Sequence, residues 1–263
     1  LSDLAALPLP GTPPAPASAP EFSICTLVTD HADHHAMRAS FLAHGFGPGE
    51  AEFLQLDNSA GNRWDAFSGI AAMLGQARGR HVIVCHQDVR LIGDGAAALR
   101  ARIAELDAIA PDWAVAGNAG VTASGALRLR ITDPHGADQH RGPLPARIAS
   151  LDENFLLIRG GAGVAPSGDL AGFHLYGTDL CLAARLAGRS AWVIDFHLHH
   201  RSPGRIDAGF LDQQERFERA WGARLGRGDR IRTTCTTLTL RAGPLSRLLG
   251  AWRLGRRRRK LRV

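Results

Sequence analysis

The sequence predicts an α/β protein in which helices flank a mainly parallel central sheet. Two observations carry this. Continuous apolar runs rich in β-branched residues recur at Phe22–Val28, His81–Cys85 and Trp113–Ala116, each reading as a strand covered on both faces. Between them lie helical periodicities: Phe67, Ile70, Ala71 and Leu74 fall at i, i+3, i+4 and i+7, and Leu99, Ile103 and Leu106 mark another apolar stripe. Strands alternating with helices in this way require parallel pairing through right-handed crossovers.

Along the chain, residues 1–20 hold six of the 14 prolines and read as a flexible arm of polyproline character. Met37–Ala43 is a helix and Ala51–Leu56 a second strand, ending in Asp57-Asn58-Ser59. Asn62 is an N-cap, with Asp65 as its capping-box partner. Val121–Ile131 reads as a hairpin turning at Ser124-Gly125, and the polar stretch Thr132–Pro145 as a mobile loop. Asn154–Arg159 is a strand, followed by a Gly-rich loop over 160–172. Thr178 caps a helix that runs to Leu186 and stops at Gly188 in the C′ position. Ala191–Phe196 is a strand, and Asp207–Leu225 a long amphipathic helix. Trp113 and Trp192 fall in strands and belong to the core.

Composition removes several classes of function. The chain has 263 residues, enough for a sizeable core, and no apolar stretch approaches the roughly 20 residues that span a membrane. The net charge of +6 is misleading, because residues 241–263 hold nine of the 31 Lys/Arg and no acid. The remaining 22 basic residues face 25 acidic ones, so the body is mildly acidic and nucleic-acid binding is disfavoured. Leu245, Leu248, Leu249 and Trp252 with Arg256–Lys260 fit either an interfacial helix on anionic lipid or a solvated end, with RNA as a further partner. Cysteines at 25, 85, 181 and 235 are too scattered for a zinc knuckle. They predict reduced thiols and a cytoplasmic location, peripheral on the inner membrane face if the tail binds lipid. The opening has neither the basic nor the apolar region of a signal peptide.

Chemistry concentrates at strand ends, where parallel sheets collect ligands. Asp30, Asp57 and Asp88 follow the first, second and third predicted strands. Each either caps the next helix or faces a ligand, and Asp88 is the sharpest, since a carboxylate leaving a buried strand suits a divalent cation. His197, His199 and His200 crowd another strand end. Alternation puts the first two on one side and His200 on the other.

Taken together, Asp57-Asn58-Ser59, the series Asp65 to Ile70 and His86-Gln87-Asp88-Val89 resemble the family-2-type glycosyltransferases. More narrowly, they resemble the glycosyltransferase-like domain named after a streptomycin-biosynthesis protein, in which HQDV stands where the family carries DxD. Phe173-His174-Leu175-Tyr176-Gly177-Thr178-Asp179 is similar to the family's acceptor-side helix, His200-Arg201-Ser202-Pro203-Gly204 to its H-x-S-x-G segment, and Phe217 and Trp221 to its closing helix. The resemblance covers about residues 22–225. It implies a GT-A fold over 21–240, with 21–120 as the nucleotide-sugar half and 121–240 as the acceptor half. It also implies an inverting transfer from a nucleotide-sugar donor to a glycan, lipid-linked or small-molecule acceptor.

Carried over by position, Asp88 and His200 would ligate Mn²⁺ or Mg²⁺. Thr29, Asp30, Asp57, Asn58, Ser68 and Gln87 would form the nucleotide pocket. His174 and Tyr176 would face the acceptor. Two departures stand out. The family's P-x-x-N after the first strand is replaced by Thr29-Asp30-His31. Aligning Asp179 with the last residue of the family's ED-x-D places Gly177 at the base position, leaving Asp179 or His174 as substitutes. Two other readings compete: a catalytically lapsed nucleotide-sugar-binding module, favoured by Gly177, and a metal-dependent hydrolase built on the H-x-D-H of His31, Asp33 and His34.

Overall fold

The computed structural model describes residues 19–204, 206–226 and 228–240, together with positions 243, 252 and 255. The proline-rich arm up to residue 18 and nearly all of the basic tail over 241–263 lie outside the described residues.

In chain order the elements are β1 (Phe22–Val28), α1 (His31–Ala43), β2 (Ala51–Asp57), α2 (Ala66–Gln76), β3 (His81–Cys85), β4 (Val89–Leu91), α3 (Ala96–Ile109), β5 (Trp113–Gly117), β6 (Ala119–Val121) and β7 (Leu127–Asp133). They continue with β8 (Gly136–Arg141), β9 (Ala146–Arg147), β10 (Ser150–Leu151), β11 (Phe155–Arg159), α4 (Tyr176–Leu186), β12 (Ser190–Val193), β13 (Leu198–His200), α5 (Ala208–Leu225), β14 (Asp229–Arg232) and β15 (Thr237–Leu240).

The main sheet has the order β2-β1-β3-β11-β5-β12-β9. β1 pairs in parallel with β2 and β3, and β12 with β5, while β11 runs antiparallel between β3 and β5. The expected mainly parallel sheet is therefore present, with β11 reversed at its centre and β9 reversed at its edge. Each face carries a core. Phe22 and Ile24 of β1 pack with Met37 and Phe41 of α1 and Leu99, Ile103 and Leu106 of α3. Cys25 faces the other side, where Phe67 and Ile70 of α2, Leu180 of α4, and Phe217 and Trp221 of α5 close the second core. Burying each such large side chain contributes roughly 1.5–3 kcal/mol, which is what holds helices on both faces.

A second sheet, β10-β6-β7-β13-β4 with β8 on β7, folds against the edge of the first. Here the structure corrects the expectation of a mobile loop over Thr132–Pro145. β7 runs to Asp133 and β8 returns along it, with Ile131 opposite Gln139 and Leu129 opposite Arg141. β8 has no buried face, so its residues carry no apolar alternation by which to recognise a strand. The strand expected over Ala191–Phe196 ends early, with β12 stopping at Val193 in the main sheet; beyond the expected range, β13 joins the second one.

Three helix starts also move. α1 begins at His31 because Asp30 caps it, accepting from the Asp33 N–H at 3.0 Å. α2 is capped by Asp65 rather than Asn62, through the N–H groups of Phe67 and Ser68. α4 starts at Tyr176, ahead of Thr178, after Leu175 adopts a left-handed φ of 66°.

Candidate active site

The turn between β3 and β4 carries His86, Gln87 and Asp88. β3 belongs to the main sheet and β4 to the second, so this turn bridges them. β13 pairs antiparallel with β4 and sets His200 opposite Val89. That register delivers an imidazole from 112 positions along the chain to the side of Asp88: His200 Nε2 lies 3.5 Å from Asp88 Oδ1 and 3.2 Å from His86 Nδ1. Ser202 Oγ sits 3.2 Å from the same Nε2. The three residues place one ligand atom each within 4.8 Å of one another, and among the described residues they are the group that could hold a metal ion.

Electrostatics fit that role. Burial works against the charged form of Asp88, but the hydrogen bond and charge of His200 outweigh it and hold the carboxylate well below its usual range. Burial likewise opposes the His200 imidazolium, yet Asp88 overcomes it and raises the histidine's pKa. His86 is driven the other way, by burial first and then by the charge of His200, so its ring is neutral. His86 Nε2 is 2.9 Å from the Tyr176 hydroxyl, which donates to the Glu153 carbonyl oxygen at 3.2 Å. This hydroxyl fixes the ring orientation from behind, as an outer partner of a metal-binding histidine does.

Two clefts meet at His86, Phe173 and Ser202. The smaller, about 330 Å³, has an apolar floor including Leu27, Ile70, Met73 and Val84, and a polar rim of Thr29, Asn58, Gln87 and Asp88. The larger, about 600 Å³, runs from His200 past Asp152, Glu153 and His174 to Phe210 and the turn joining β14 to β15.

The predicted nucleotide residues divide accordingly. Thr29, Asn58 and Gln87 line the smaller cleft. Gln87 is a clamp: its Oε1 accepts from the Thr29 and Asp30 N–H groups at 2.7 and 2.9 Å, and its Nε2 donates to Thr29 Oγ1. Asn58 closes the following loop through both backbone groups of Trp64. Asp57 stands at the end of β2 with its side chain half exposed, accepting from the Ser59 N–H and 3.5 Å from His31. Asp30 and Ser68 are engaged locally, Asp30 as the cap of α1 and Ser68 with the Asp65 carboxylate at 2.5 Å.

On the acceptor side the assignment of Asp179 as base is corrected. Its carboxylate is fully buried and takes three donors at 2.7 Å each: the Ser167 N–H, the Ser167 hydroxyl and Trp221 Nε1. It lines neither cleft. It ties α4 to α5 and to the Gly-rich loop. His174 does line the larger cleft, with its ring edge-on to Phe210 at 5.1 Å and its backbone held by the Gln213 carboxamide.

The H-x-D-H residues do not assemble into a metal centre. Asp33 pairs with Arg90 and Arg201 at 2.9 and 2.5 Å, and His34 is on the buried face of α1. Sequence reasoning passed over His86 as a ligand and Glu153 altogether. His86 was signalled only by its place beside Asp88, and Glu153 only by its position before a strand.

No known family model matches the chain. Among solved structures, S. aureus TarS 1-349 in complex with UDP-GlcNAc is similar at a TM-score of 0.52 and 11% identity, over 75% of this chain and 65% of that one. S. aureus TarS is similar at a TM-score of 0.50 and 11% identity, over 75% of this chain and 39% of that one. The chain thus spans less than two thirds of the length of either. The likeness is one of fold, and the fold is of GT-A type, as expected from the sequence. Among described residues no helix is long and apolar enough to cross a membrane. A protein of Fuscovulum blasticum called ATP synthase subunits region ORF 6 is 45% identical over 198 residues, covering 72% of this chain and 78% of that protein. By that identity and coverage the chain belongs to the family of the Fuscovulum blasticum protein, on a fold of GT-A type.

Proposed function

We propose that this protein transfers a sugar, with inversion, from a nucleotide-sugar donor to an acceptor hydroxyl, using a divalent cation held by His86, Asp88 and His200. One observation carries the reading: the three ligand atoms converge where the smaller and larger clefts meet. The smaller cleft takes the nucleotide, with Thr29, Asn58 and Gln87 on its wall and Asp57 at the tip of the adjacent strand to bond the base. The larger takes the acceptor. TarS, which shares the fold, is described in complex with UDP-GlcNAc.

The donor set fits a cation. Two imidazole nitrogens and one carboxylate favour Mn²⁺ over Mg²⁺, which prefers an all-oxygen shell. Such a cation, when bound, stabilises the negative charge that grows on the departing diphosphate. The chain's own groups do the rest. Asp33, on the wall of the smaller cleft, is paired with the guanidinium groups of Arg90 and Arg201, which offset its negative charge there. Tyr176 keeps His86 in one orientation. The basic tail, read from sequence, would set the protein on an anionic lipid surface, and liposome cosedimentation with and without residues 244–263 tests that.

The direct test is thermal unfolding against UDP-, GDP- and dTDP-sugars with and without Mn²⁺, on wild type and Asp88→Ala. A ligand at 100 times its Kd adds about 2.7 kcal/mol, a shift of roughly 5–10 °C for a domain this size. The reading predicts such a Mn²⁺-dependent shift in wild type and its loss in Asp88→Ala. No shift with any donor overturns it.

A further inference from the structure

The helix position at which the resemblance would place a base is sterically closed in this chain. A β-carbon at Gly177 would lie 2.8 Å from the Leu151 carbonyl oxygen and 3.3 Å from that of Asp152. Segment 151–153 therefore rests directly on the first turn of α4, leaving no room for a side chain there. The same close approach brings another carboxylate to the spot. Glu153 Cγ would be 3.3 Å from that β-carbon, and the backbone N–H groups of Gly177 and Leu175 favour the charged form of the Glu153 carboxylate. Glu153 lines the larger cleft, and its carbonyl oxygen accepts from the hydroxyl that orients His86.

We propose that Glu153 is the general base of the transfer, presented by the segment facing α4 instead of by the helix. The assignment rests on the proposed glycosyl transfer and deepens it. The acceptor O–H gives its proton to the Glu153 carboxylate, and its oxygen forms a bond to the anomeric carbon. The bond from that carbon to the phosphate oxygen breaks, and its electron pair leaves on the nucleoside diphosphate.

Neighbouring candidates are committed elsewhere. Asp152 accepts from the Asn154 N–H and side-chain amide and from Thr234 Oγ1 at 2.8 Å; against its burial, these bonds hold its pKa down. Asp179 is buried behind the helix. Around Glu153 the titratable groups are Asp152 on its own segment, Tyr176 and Cys181 on α4, and Cys235 from the turn joining β14 to β15. Burial first, and then the charge of Asp152, push Glu153 up to about 8, against the pull of its two backbone donors. A base with a pKa near the working pH takes up a proton in the transition state efficiently.

The test uses the full chain with UDP-GlcNAc, UDP-glucose and GDP-mannose, Mn²⁺, and water as the acceptor. It reads nucleotide release alongside the Mn²⁺-dependent thermal shift. Glu153→Gln should keep the wild-type shift and lose nucleotide release by roughly 100-fold or more, as removal of a general base does. Glu153→Asp should recover part of the rate. Wild-type release should rise with pH and level off above about 8, while Glu153→Gln shows no such rise. Release by Glu153→Gln within threefold of wild type, with donor binding intact, overturns the base and leaves the donor site standing. Collapse of release in His174→Ala but not in Glu153→Gln moves the role to the histidine. Donor binding without release by wild type rules out a base at this position, and absence of binding removes the whole reading of the site.

Discussion

Asp179→Ala removes a fully buried carboxylate that receives the Ser167 N–H, the Ser167 hydroxyl and Trp221 Nε1, each at 2.7 Å. All three donors would be left without a partner in a site closed to water. An unsatisfied buried donor costs roughly 1–3 kcal/mol, so after partial relaxation the three together cost roughly 3–5 kcal/mol. Burial raises the pKa of this carboxyl, while its three donors pull it back, so the group is held by hydrogen bonds more than by charge. At about 2–4 °C per kcal/mol for a domain of this size, the melting temperature should fall by roughly 6–20 °C. Urea unfolding of wild type, Asp179→Asn and Asp179→Ala measures the loss, and the asparagine variant, which keeps an acceptor oxygen, should lose less. Turnover per folded molecule should be little changed at a temperature where the variant is folded. An Asp179→Ala protein as stable as wild type and devoid of turnover would refute the reasoning and restore Asp179 as the base.

Further outcomes follow from the same geometry. Tyr176→Phe removes the hydroxyl that holds His86 Nε2 at 2.9 Å and should weaken Mn²⁺ binding about 10-fold, the lower end for loss of an outer-shell partner; unchanged affinity by calorimetry contradicts that role. Because Asp88 raises the His200 pKa against its burial, a cation must displace that proton. Mn²⁺ affinity should therefore fall as pH drops through it, by up to about 10-fold per pH unit, and a flat profile from pH 8 to 6 counts against His200 as a ligand. For Glu153 the folded pKa is raised from 4.5 to about 8, so the folded state binds more protons than the unfolded one between those values, and stability declines as pH climbs through that window. Glu153→Gln cannot ionise and should gain on wild type between pH 5 and 8, by about 1–2 kcal/mol once solvent in the cleft is allowed for; parallel stability curves contradict it.

Local signals made the scaffold legible. The runs over Phe22–Val28 and His81–Cys85 lie in the sheet where their apolar, β-branched composition places them, and the stripe Phe67, Ile70 packs one face of α2 into the core. What stayed hidden depends on partners distant in sequence. β4 has three residues and is a strand only because β13 pairs with it, and that pairing alone brings His200 to Asp88. β8 has no buried face that a window of sequence could detect, and β15 alternates over only four residues, with Leu238 and Leu240 buried. Asp88 and His200 stood out because each follows an apolar strand in a polar cluster. Glu153 did not, since its significance arises from the close approach of segment 151–153 to Gly177, which no spacing encodes. Asp179 misled for the opposite reason: an acid in the first turn of a helix looks the same in sequence whether it faces a cleft or a tryptophan in the core.

The central claim is that one divalent cation sits between His86, Asp88 and His200 at the junction of the two clefts. Anomalous diffraction at the manganese edge, from crystals grown with Mn²⁺ and a nucleoside diphosphate, tests it directly. The account predicts a single strong peak within bonding distance of all three side chains, with the diphosphate on its smaller-cleft side, and no peak in Asp88→Ala. A peak elsewhere on the molecule, or none at saturating Mn²⁺ with the nucleotide bound, contradicts it.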